Sequence, residues 1–456
     1  MKKLSAFNFL NFKDIKIPWL KTRKRFFLIV LIDSLIFLST TLILDTKYNF
    51  SLSLFYKFLF IVNWIFISYV LGRYHNLNLS NNLKLITSFF KTLISYIVSS
   101  LLLLLILIIS EKSQNYNIKE LFLISIICIP LSFFVQTIIN IKLKEYDKNT
   151  KKWFYLGSSK TREQFSKNLS LSRVENKIIN SSNINNLSKE DINNLKGFII
   201  KDKSKIPNNI KNKFIYYNLK KLNILTVNEW CEEFLQRIPL NMINEIDLIR
   251  GEYSYIKKKL QIKFKRLGDI IFSFILLTAS LPLILTSAIL IKLEDGGNIF
   301  YEQKRTGLNG KLIKIYKLRS MIIDAEKKGV QWSNRNDKRV TKIGKFIRKT
   351  RIDELPQLLA VLKGEMSLIG PRPERPEIEK KLRQEIPFYD FRYSVKPGLS
   401  GWAQINYPYG ASILDAENKL SYDLYYIKNF STLLDFLILL KTVKLVLNAQ
   451  GSLSKN

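Results

Sequence analysis

Cysteine and histidine are almost missing from this sequence of 456 residues, which holds two cysteines and one histidine. Cys128 and Cys231 lie far apart, so a disulfide framework and a zinc site built from cysteine and histidine are excluded. The same scarcity speaks against a Ser-His-Asp triad. Any chemistry must therefore come from carboxylates and basic side chains, with or without a hard metal ion.

Two motifs of nucleotide-using proteins are missing as well. The chain contains no Gly-x-Gly, so the dinucleotide-binding fingerprint is absent. No two aspartates are separated by one residue, although glycosyltransferases that release UDP usually hold their metal with Asp-x-Asp. Such an enzyme stays an alternative, and this absence disfavours it.

Negative charge is scarce in comparison with positive charge. The chain has 72 Lys and Arg against 37 Asp and Glu, which gives a net charge of +35. A protein of this kind favours anionic partners, which include nucleic acid, anionic lipid and phosphorylated substrates.

Long apolar runs dominate the first third of the chain, at about 26–44, 52–71, 86–110 and 120–142. Each is close to the ~20 residues that a membrane-spanning helix needs, so we expect a four-helix transmembrane region. Lys and Arg are densest before the first run and after the fourth, which predicts that both ends of the bundle face the cytoplasm. Asp33, inside the first run, is expected to mark a helix-packing or interfacial position rather than a transport site.

The domain organisation predicted from the sequence has three parts: residues 1–145 in the membrane, 146–262 as a cytoplasmic α/β domain with a linker, and 263–456 as a mainly helical catalytic domain. In the middle part, short apolar runs alternate with polar, asparagine-rich stretches, a pattern typical of a small α/β unit. Its first strand would end at the turn Gly157-Ser158-Ser159. Because Gly-x-Gly is absent, this turn indicates only a degenerate Rossmann-like domain. A structural or assembly role is the better interpretation of this domain.

A fifth apolar run begins the third part and is interrupted by Pro282. Proline removes a helix hydrogen bond and clashes with the preceding turn, so a sharp kink is expected. Two interpretations stay open: an ordinary fifth span, and a re-entrant helix at about 267–292 that keeps the basic residues 301–351 in the cytoplasm. Arg266 and Asp269, one helical turn apart, are expected to pair where the segment enters the membrane.

The segment YEQKRTGLNGKLIKIYKLRSM (301–321) predicts a hairpin around its Gly-Leu-Asn-Gly turn. Lys317 and Arg319 follow in alternating register and should project to one face. The next thirty or so residues are crowded with Lys and Arg but have few aromatic side chains, which argues against binding of single-stranded nucleic acid. A phosphate-bearing substrate or a lipid surface fits this stretch better.

Two carboxylates, Asp353 and Glu354, stand side by side in RIDELPQ. One interpretation is a helix start, with Asp353 as the cap and proline in the first turn. The other is a catalytic pair, and the two are compatible because the helix dipole favours an ionised carboxylate. With Arg348 and Arg351 nearby, we expect a low pKa for Asp353 and a free carboxylate nucleophile at neutral pH.

Two proline turns and a late apolar run complete the pattern. The turn Gly-Pro-Arg-Pro presents Arg372, whose planar fork suits phosphate. Pro397-Gly398 predicts a turn where backbone approaches a flat ligand, with Trp402 nearby. The run at 433–447 fits either an amphipathic helix at the membrane interface or a core helix.

Taken together, these motifs resemble those of the bacterial sugar transferase family, the monotopic phosphoglycosyl transferases of lipid-linked polysaccharide assembly. The matching pieces follow the family's order over residues 263–449: KRLGD with the proline-broken run, YEQKRTGLNGKLIKIYKLRSM, DAE, IDELPQLLAVLKGEMSLIGPRP, KPGLSGWAQIN and YDLYYIKNFSTLLDFLILLKT. The four N-terminal runs and the α/β domain resemble the longer branch, which acts on hexose phosphates for O-antigen, capsule or exopolysaccharide. Leu281 and Ala360 depart from the family, where serine and asparagine are common.

The resemblance implies an enzyme that moves a sugar phosphate from a UDP-sugar to polyprenyl (undecaprenyl) phosphate and releases UMP. Asp353 matches the nucleophile, which forms an aspartyl phosphosugar, and Glu354 matches its acidic neighbour. Mg²⁺ is the expected cofactor, with Asp353 as its expected protein ligand. The residues expected to bind substrate are Lys317, Arg319, Arg348, Arg351, Arg372, Pro397 and Gly398.

The resemblance also implies a bacterial inner (plasma) membrane protein whose catalytic domain faces the cytoplasm, with no nucleic-acid partner. A homodimer through the middle or membrane region is an open hypothesis. Glucose and galactose phosphates are equally compatible with the sequence. An inactive scaffold of polysaccharide export is the remaining alternative, although a scaffold has no need for the Asp-Glu, Gly-Pro-Arg-Pro and Pro-Gly motifs together.

Overall fold

The computed structural model describes residues 18–21, 23–48, 53–74, 82–110, 118–148, 152–157, 163, 165–166, 178–180, 195–201, 222–243, 259–325, 337–408, 410 and 412–447. The chain divides into two compact units. The first holds residues 1–153 and 187–196, and the second holds residues 154–186 and 197–456. The three-part division expected from the sequence stays a prediction.

The described residues 18–148 of the first unit are mainly helical. Its helices are α1 (Pro18–Lys21), α2 (Lys24–Tyr48), α3 (Leu54–Val70), α4 (Asn82–Ile109) and α5 (Ile118–Lys148). The last four coincide with the predicted spans, and α2, α4 and α5 are long and apolar enough to cross a membrane. Helix α3 has 17 residues, or about 25 Å, which is at the lower limit for a span. The chain is accordingly a membrane protein.

Asp33 occupies the packing position that the sequence predicts. Its carboxylate lies 3.0 Å from Arg73 Nη1 and accepts a hydrogen bond from the Tyr74 hydroxyl at 3.1 Å. Ser132 of α5 donates to the other carboxylate oxygen. Since Asp33 and Arg73 are both buried, this ion pair and its hydrogen bonds hold α2 against the end of α3 and against α5.

A four-stranded sheet forms in the middle of the chain. Its strands are β1 (Lys152–Leu156), β2 (Ile178–Asn180), β3 (Leu195–Ile200) and β4 (Asn223–Thr226). They lie in the order β2-β1-β3-β4, and β3 pairs with β4 in parallel. The Rossmann-like classification stays a prediction, and Ser158 and Ser159 of the glycine turn lie outside the described residues.

One long helix, α7 (Lys259–Asp295), contains the fifth apolar run and continues through Pro282. It is long and apolar enough to cross a membrane. The expected pair between Arg266 and Asp269 is wrong. Arg266 instead donates to the Val361 and Leu362 carbonyls at 2.6 and 2.7 Å, and Asp269 accepts the Leu368 amide at 3.1 Å. Backbone groups at the end of a helix and at the start of a strand need partners, and these two side chains supply them.

The C-terminal part of the chain continues as a hairpin and a series of short helices. The hairpin joins β5 (Phe300–Thr306) to β6 (Leu312–Leu318) in antiparallel pairing, as predicted. Its turn places Asn309 and Gly310 at positive φ values of 54° and 76°, a conformation that these residue types tolerate. The elements that follow are α8 (Lys342–Thr350), the 3₁₀ helix Ile352–Gln357, α9 (Leu358–Lys363), β7 (Ser367–Ile369), α10 (Pro376–Glu385), the 3₁₀ helix Tyr389–Ser394, β8 (Gly398–Ser400), α11 (Trp402–Asn406), α12 (Ile413–Asn429) and α13 (Thr432–Leu447).

A short segment ahead of α7 docks on these C-terminal helices. Helix α6 (Val227–Trp230) leads into a π-helical turn that ends at Gln236, in left-handed conformation. The Gln236 carbonyl accepts the Trp402 indole N–H at 2.9 Å, and the Ser421 carbonyl accepts the Ile238 amide at 2.9 Å. Trp402 is 1% exposed and stacks on Tyr425, so it serves packing and is closed to a ligand.

The apolar core of the C-terminal part sits against α7. Ile284 and Ile291 of this helix pack with Leu318 of β6, Ile347 of α8 and Ile352. Strand β6, helix α8 and the start of the 3₁₀ helix that carries Asp353 are thereby fixed to α7, because their buried side chains share one cluster.

The last helix, α13, fits both interpretations of its sequence. Leu434, Leu437 and Ile438 are buried, as in a core helix. Leu433 and Phe436 are exposed, so the helix also has an apolar side that is not covered by the described residues. Contact of this side with the membrane interface stays a prediction.

Candidate active site

The Asp353-Glu354 pair lies in the 3₁₀ helix that joins α8 to α9. Arg351 ends α8 in left-handed conformation, with φ of 62°, and also occupies the N-cap position of the 3₁₀ helix. The expectation that Asp353 caps this helix is therefore wrong by two residues, and both acids lie in its first turn. Both side chains are buried, so their charges depend on nearby protein groups.

Glu354 is surrounded by cations. Lys317 Nζ lies 2.9 Å from its Oε1, Arg372 donates to the same oxygen, and Arg351 Nη1 lies 3.4 Å from Oε2. Burial alone would raise the pKa of Glu354, but Arg372, Lys317 and Arg351 outweigh it and hold this pKa well below its usual range. Glu354 is thus a permanent anion that draws three predicted substrate-binding side chains together.

Asp353 differs from the prediction in its acidity. Burial, followed by the negative charge of Glu354, raises the pKa of Asp353 to about 6. The positive charges of Lys317, Arg351 and Arg348 act in the other direction but do not cancel this effect. The expected low pKa is therefore wrong, because burial of Asp353 and the neighbouring Glu354 carboxylate outweigh the adjacent arginines. At neutral pH Asp353 is still mostly ionised.

One oxygen of Asp353 is available for chemistry. Its Oδ1 atom is buried and has no hydrogen-bond partner among the described residues. Buried polar atoms are nearly always paired, so an orphaned one indicates a ligand or a catalytic role. A carboxylate oxygen without a competing donor is what a nucleophile or a ligand of a hard cation needs.

The predicted arginines fall into two groups. Arg348, Arg351 and Arg372 belong to the Asp353 site, since the charges of Arg348 and Arg351 act on the Asp353 carboxylate and Arg372 binds Glu354. Arg319 lies elsewhere: it forms a two-pronged ion pair with Asp295 and donates to the Asn298 carbonyl at 2.6 Å. Its guanidinium therefore joins β6 to the end of α7.

The Pro397-Gly398 turn lies directly against the Gly-Pro-Arg-Pro turn. Strands β7 and β8 are parallel, and the Gly398 amide donates to the Pro371 carbonyl at 2.9 Å. A side chain on Gly398 would place its Cβ 2.1 Å from the Gly370 nitrogen. The sequence interpretation assigned this glycine to the approach of a ligand, whereas the backbone of Gly370 already fills the space. Binding of uridine by the turn stays a prediction.

The sequence interpretation missed two arginines that hold the Gly-Pro-Arg-Pro loop. Arg392 Nη2 donates to the Arg372 carbonyl at 2.7 Å, and Arg305 Nη1 donates to the Pro373 carbonyl at 3.1 Å. Arg305 lies inside the YEQKRTG motif, so this motif could have identified it from the sequence. Arg392 lies in no motif, and only the fold brings it to this loop. Together they fix the main chain from which Arg372 reaches Glu354.

A magnesium ion fits this site as a partner of substrate. The described residues contain no group of three or more acidic, histidine or cysteine side chains that would form a complete metal cage. Mg²⁺ characteristically takes one or two carboxylates and completes its shell with water and substrate phosphates. The Asp353 carboxylate meets that requirement, whereas the oxygens of Glu354 are engaged by Lys317, Arg351 and Arg372.

Comparison with known proteins places this arrangement in a family. The model of the family "Bacterial sugar transferase" matches residues 260–449. The chain is 41% identical over 191 residues to the uncharacterized sugar transferase EpsL of Bacillus subtilis, and this match covers 89% of that protein and 41% of the chain. This chain belongs to the bacterial sugar transferase family. The resemblance of its motifs to that family is confirmed.

Two longer relatives have names that specify a sugar. The chain is 41% identical over 234 residues to the UDP-N-acetylgalactosamine-undecaprenyl-phosphate N-acetylgalactosaminephosphotransferase of Aeromonas hydrophila, over 51% of this chain and 54% of that protein. It is 40% identical over 181 residues to the UDP-glucose:undecaprenyl-phosphate glucose-1-phosphate transferase of Escherichia coli, over 39% of each protein. The matched part of the chain thus spans about half or less of these two relatives.

Proposed function

We propose that this protein transfers a hexose phosphate from a UDP-sugar to undecaprenyl phosphate, or a similar polyprenyl phosphate, and releases UMP. The observation that carries the proposal is the contrast between two adjacent buried acids. Glu354 is neutralised by three cations, whereas Asp353 keeps one oxygen without a partner among the described residues. Membership of the sugar transferase family and the names of the relatives supply the substrate classes.

The reaction proceeds in two displacements at the phosphorus that carries the sugar. Asp353 Oδ1 attacks this phosphorus, the bond to the UMP oxygen breaks, and UMP leaves with the electron pair. An oxygen of polyprenyl phosphate then attacks the same phosphorus, which restores the Asp353 carboxylate and forms a polyprenyl diphosphate sugar. Each step exchanges one phosphorus–oxygen bond for another, so no oxidant or further reactant is needed.

The cations around Glu354 hold the phosphates during these displacements. Arg372 offers a planar fork whose remaining donors suit phosphate oxygens, and its main chain is held by Arg392 and Arg305. Lys317 and Arg351 bring further positive charge, which stabilises the charge that develops on the leaving UMP. When bound, Mg²⁺ at Asp353 supplies charge neutralisation on the diphosphate.

We also propose that α7 is re-entrant and that the catalytic part lies on the cytoplasmic face. Near one end of α7, Arg266 binds the Val361 and Leu362 carbonyls. Near the other end, Glu294 accepts the Lys342 amide at 3.0 Å. Both contacts are to one stretch of about twenty residues, and that stretch carries the charges of the Asp353 site. If α7 crossed the bilayer, this charged stretch would have to lie in hydrocarbon at high cost.

Single cysteines test this topology. Cysteine placed at Gln261 and at Gly296, near the two ends of α7, should both react with a membrane-impermeant maleimide from the cytoplasmic side of inverted vesicles. The natural cysteines, Cys128 and Cys231, are buried and give the background. Labelling of the two ends from opposite sides would contradict the re-entrant arrangement and favour an ordinary span.

The nucleotide by-product tests the reaction itself. Purified protein with Mg²⁺ and short-chain polyprenyl phosphate is given a panel of UDP-sugars, and UMP and UDP are separated by chromatography. We expect UMP from the wild type and from Glu302→Gln, an exposed acid on β5, and none from Asp353→Asn. Protein incubated with UDP-sugar alone should gain the mass of a sugar phosphate. Release of UDP would reject the phosphosugar mechanism and favour an ordinary glycosyltransferase.

Assembly is a separate proposal. We infer that the protein forms a homodimer through the middle or membrane region, as the sequence interpretation suggested. Crosslinking in native membranes should give a species of twice the chain mass, and a purely monomeric pattern would reject it.

A further inference from the structure

Helix α8 divides its side chains between two faces. On the inner face Ile347 is 1% exposed, and Arg348 donates to the Ser320 hydroxyl at 2.8 Å. A Cβ on Gly344 would lie 2.0 Å from the Ser320 carbonyl oxygen, so this face is tightly packed. The outer face consists of four exposed side chains: Lys342, Lys345, Phe346 and Lys349. Their spacing of three and four residues places them on one stripe of the helix, and the Asp353 site uses none of them.

Ion pairing does not account for the lysines of the outer face. In the part of the chain that the structure describes, no acid pairs with any of the three. Lys342 lies in the first turn of α8, where the helix dipole disfavours a positive charge. Phe346 stands among the lysines and is 61% exposed, although burial of a phenylalanine side chain is favourable. The outer face therefore presents positive charge around an uncovered aromatic ring.

Helix α10, of similar length, shows a charged face of a different composition. It also exposes three cations, Lys380, Lys381 and Arg383. Exposed acids, Glu377 and Glu385, stand among them, and none of the ten residues of α10 is an exposed large apolar side chain. Mixed charge of this kind is typical of a face in water. The outer face of α8 has one sign of charge and an aromatic side chain, which is the composition of a helix at a membrane interface.

The start of α8 is attached to the end of α7. Glu294 of α7 accepts the Lys342 and Ile343 amides at 3.0 and 3.3 Å, and the neighbouring Leu293 is 76% exposed. Helix α7 is long and apolar enough to cross a membrane. Whether it spans the bilayer or re-enters, its apolar run ends at this point. The bilayer surface that α7 leaves is therefore the surface closest to α8.

Further apolar side chains are uncovered beside α8. The Ile322 amide donates to the Arg339 carbonyl at 2.9 Å, just ahead of the helix, and Ile322 and Ile323 are 49% and 53% exposed. Together with Leu293 and Phe346 they make four large apolar side chains exposed on or beside α8. Exposed apolar side chains that gather in this way mark surfaces for contact with protein or membrane. The lysines favour the membrane, because anionic lipids attract basic segments next to an apolar helix.

We propose that the outer face of α8 binds anionic phospholipid head groups, with its lysines among the phosphates and Phe346 inserted below them. Lysine suits this partner, since an ammonium on a flexible stem can follow phosphates that have no fixed geometry. Nucleic acid fits less well, because one aromatic side chain offers only one base a stacking partner. The basic stretch thus serves the Asp353 site from the inner face of α8 and the lipid surface from the outer face.

A fluorescent probe at position 346 tests this assignment in the full-length protein. Phe346→Cys is labelled with nitrobenzoxadiazole, whose ring system replaces the phenyl ring, and placed in nanodiscs. One set contains phosphatidylcholine alone, and the other contains equal parts of phosphatidylcholine and phosphatidylglycerol. Dithionite destroys the probe in water but does not enter the bilayer, so the rate of its reaction measures shielding. Leu414→Cys, at an exposed leucine on α12, is the control site, and the buried Cys128 and Cys231 give the background.

The probe at position 346 should react at least about fivefold more slowly in anionic than in neutral nanodiscs, since each lysine near an anionic surface favours the bound state by about that factor. The probe at position 414 should react at one rate in both. Changing all three outer-face lysines to Gln should remove the difference. The matched variant removes the same charge from α10 and should keep the difference: Lys380→Gln, Lys381→Gln and Arg383→Gln. Thermal midpoints equal to that of the wild type show that each variant is folded.

Equal rates in neutral and anionic nanodiscs would overturn the proposal, whether both are fast, as on a face in water, or both are slow, as on a face covered by protein or neutral lipid. A difference that survives loss of the outer-face lysines would overturn it as well. A probe that responds to added RNA and not to phosphatidylglycerol would reassign the face to nucleic acid. The measurement needs no nucleotide sugar, so its outcome is independent of UMP release and of the proposed reaction.

Discussion

Glu354→Gln is expected to destabilise the protein although it changes the shape of the side chain very little. The substitution removes the negative charge that Lys317, Arg351 and Arg372 share. Removing one partner from a buried ion pair costs about 3–5 kcal/mol, since the other charge is left uncompensated. The side chains of Arg351 and Arg372 keep 32% and 33% of their area in solvent, so we expect the lower end, about 3 kcal/mol.

Thermal unfolding in detergent, with EDTA present to remove metal, measures this loss. For a domain of this size each kcal/mol shifts the midpoint by roughly 2–4 °C, so the expected decrease is about 6–12 °C. Glu302→Gln is the matched control, because Glu302 pairs with Lys314 at 2.9 Å and both side chains are exposed. Solvent screens an exposed pair of this kind, so its loss should leave the midpoint nearly unchanged.

Asp353→Asn should have the opposite effect. The fold raises the pKa of Asp353 from 3.8 to about 6, a shift of about two units, or roughly 3 kcal/mol. A raised pKa means that the stability contributed by protonation is present below the unfolded pKa and is lost as pH rises through about 6. The amide that replaces the carboxyl cannot ionise, so the variant should match the wild type near pH 4 and exceed it by up to about 3 kcal/mol near pH 8.

These two results together test the roles of the adjacent acids. If Glu354→Gln is as stable as Glu302→Gln, Glu354 does not neutralise the cations as inferred. If Asp353→Asn is less stable than the wild type near pH 8, the Asp353 carboxylate is favoured by its arginines, as the sequence interpretation expected, and burial does not dominate.

Gly398→Ala should abolish folding of the catalytic part or lower the midpoint of its thermal unfolding by more than about 10 °C. The new Cβ would lie 2.1 Å from the Gly370 nitrogen, and backbone cannot move aside as a side chain does. Circular dichroism and thermal scans measure this effect. Arg392→Met should raise the KM for UDP-sugar at least about tenfold, because the Arg372 carbonyl loses its donor, and steady-state kinetics at a temperature where the variant is folded separate this effect from instability. UMP formation should decline as pH falls through the Asp353 pKa of about 6, because the protonated carboxyl is a poor nucleophile; a rate that is flat between about pH 5 and 8 would contradict the assigned role.

The sequence by itself determined the features that depend on neighbours along the chain. Apolar runs of about twenty residues predicted the N-terminal helices, and alternation around Gly-Leu-Asn-Gly predicted the hairpin. The Asp-Glu pair and the Gly-Pro-Arg-Pro turn helped to predict the family, which the comparison confirms, and they predicted the centre of the candidate site. Local pattern is sufficient for such features, since helix length, turn type and motif order are properties of short segments.

Only the tertiary structure decided how the site residues divide their roles. The raised pKa of Asp353 depends on burial and on Glu354, and the separation of Arg319 from the site depends on Asp295 at the end of α7. The need for glycine at position 398 arises from Gly370 on another strand, and Arg392 reaches Arg372 across twenty residues. Burial and contacts between distant segments set each of these, and neither is encoded in the spacing of residues along the chain.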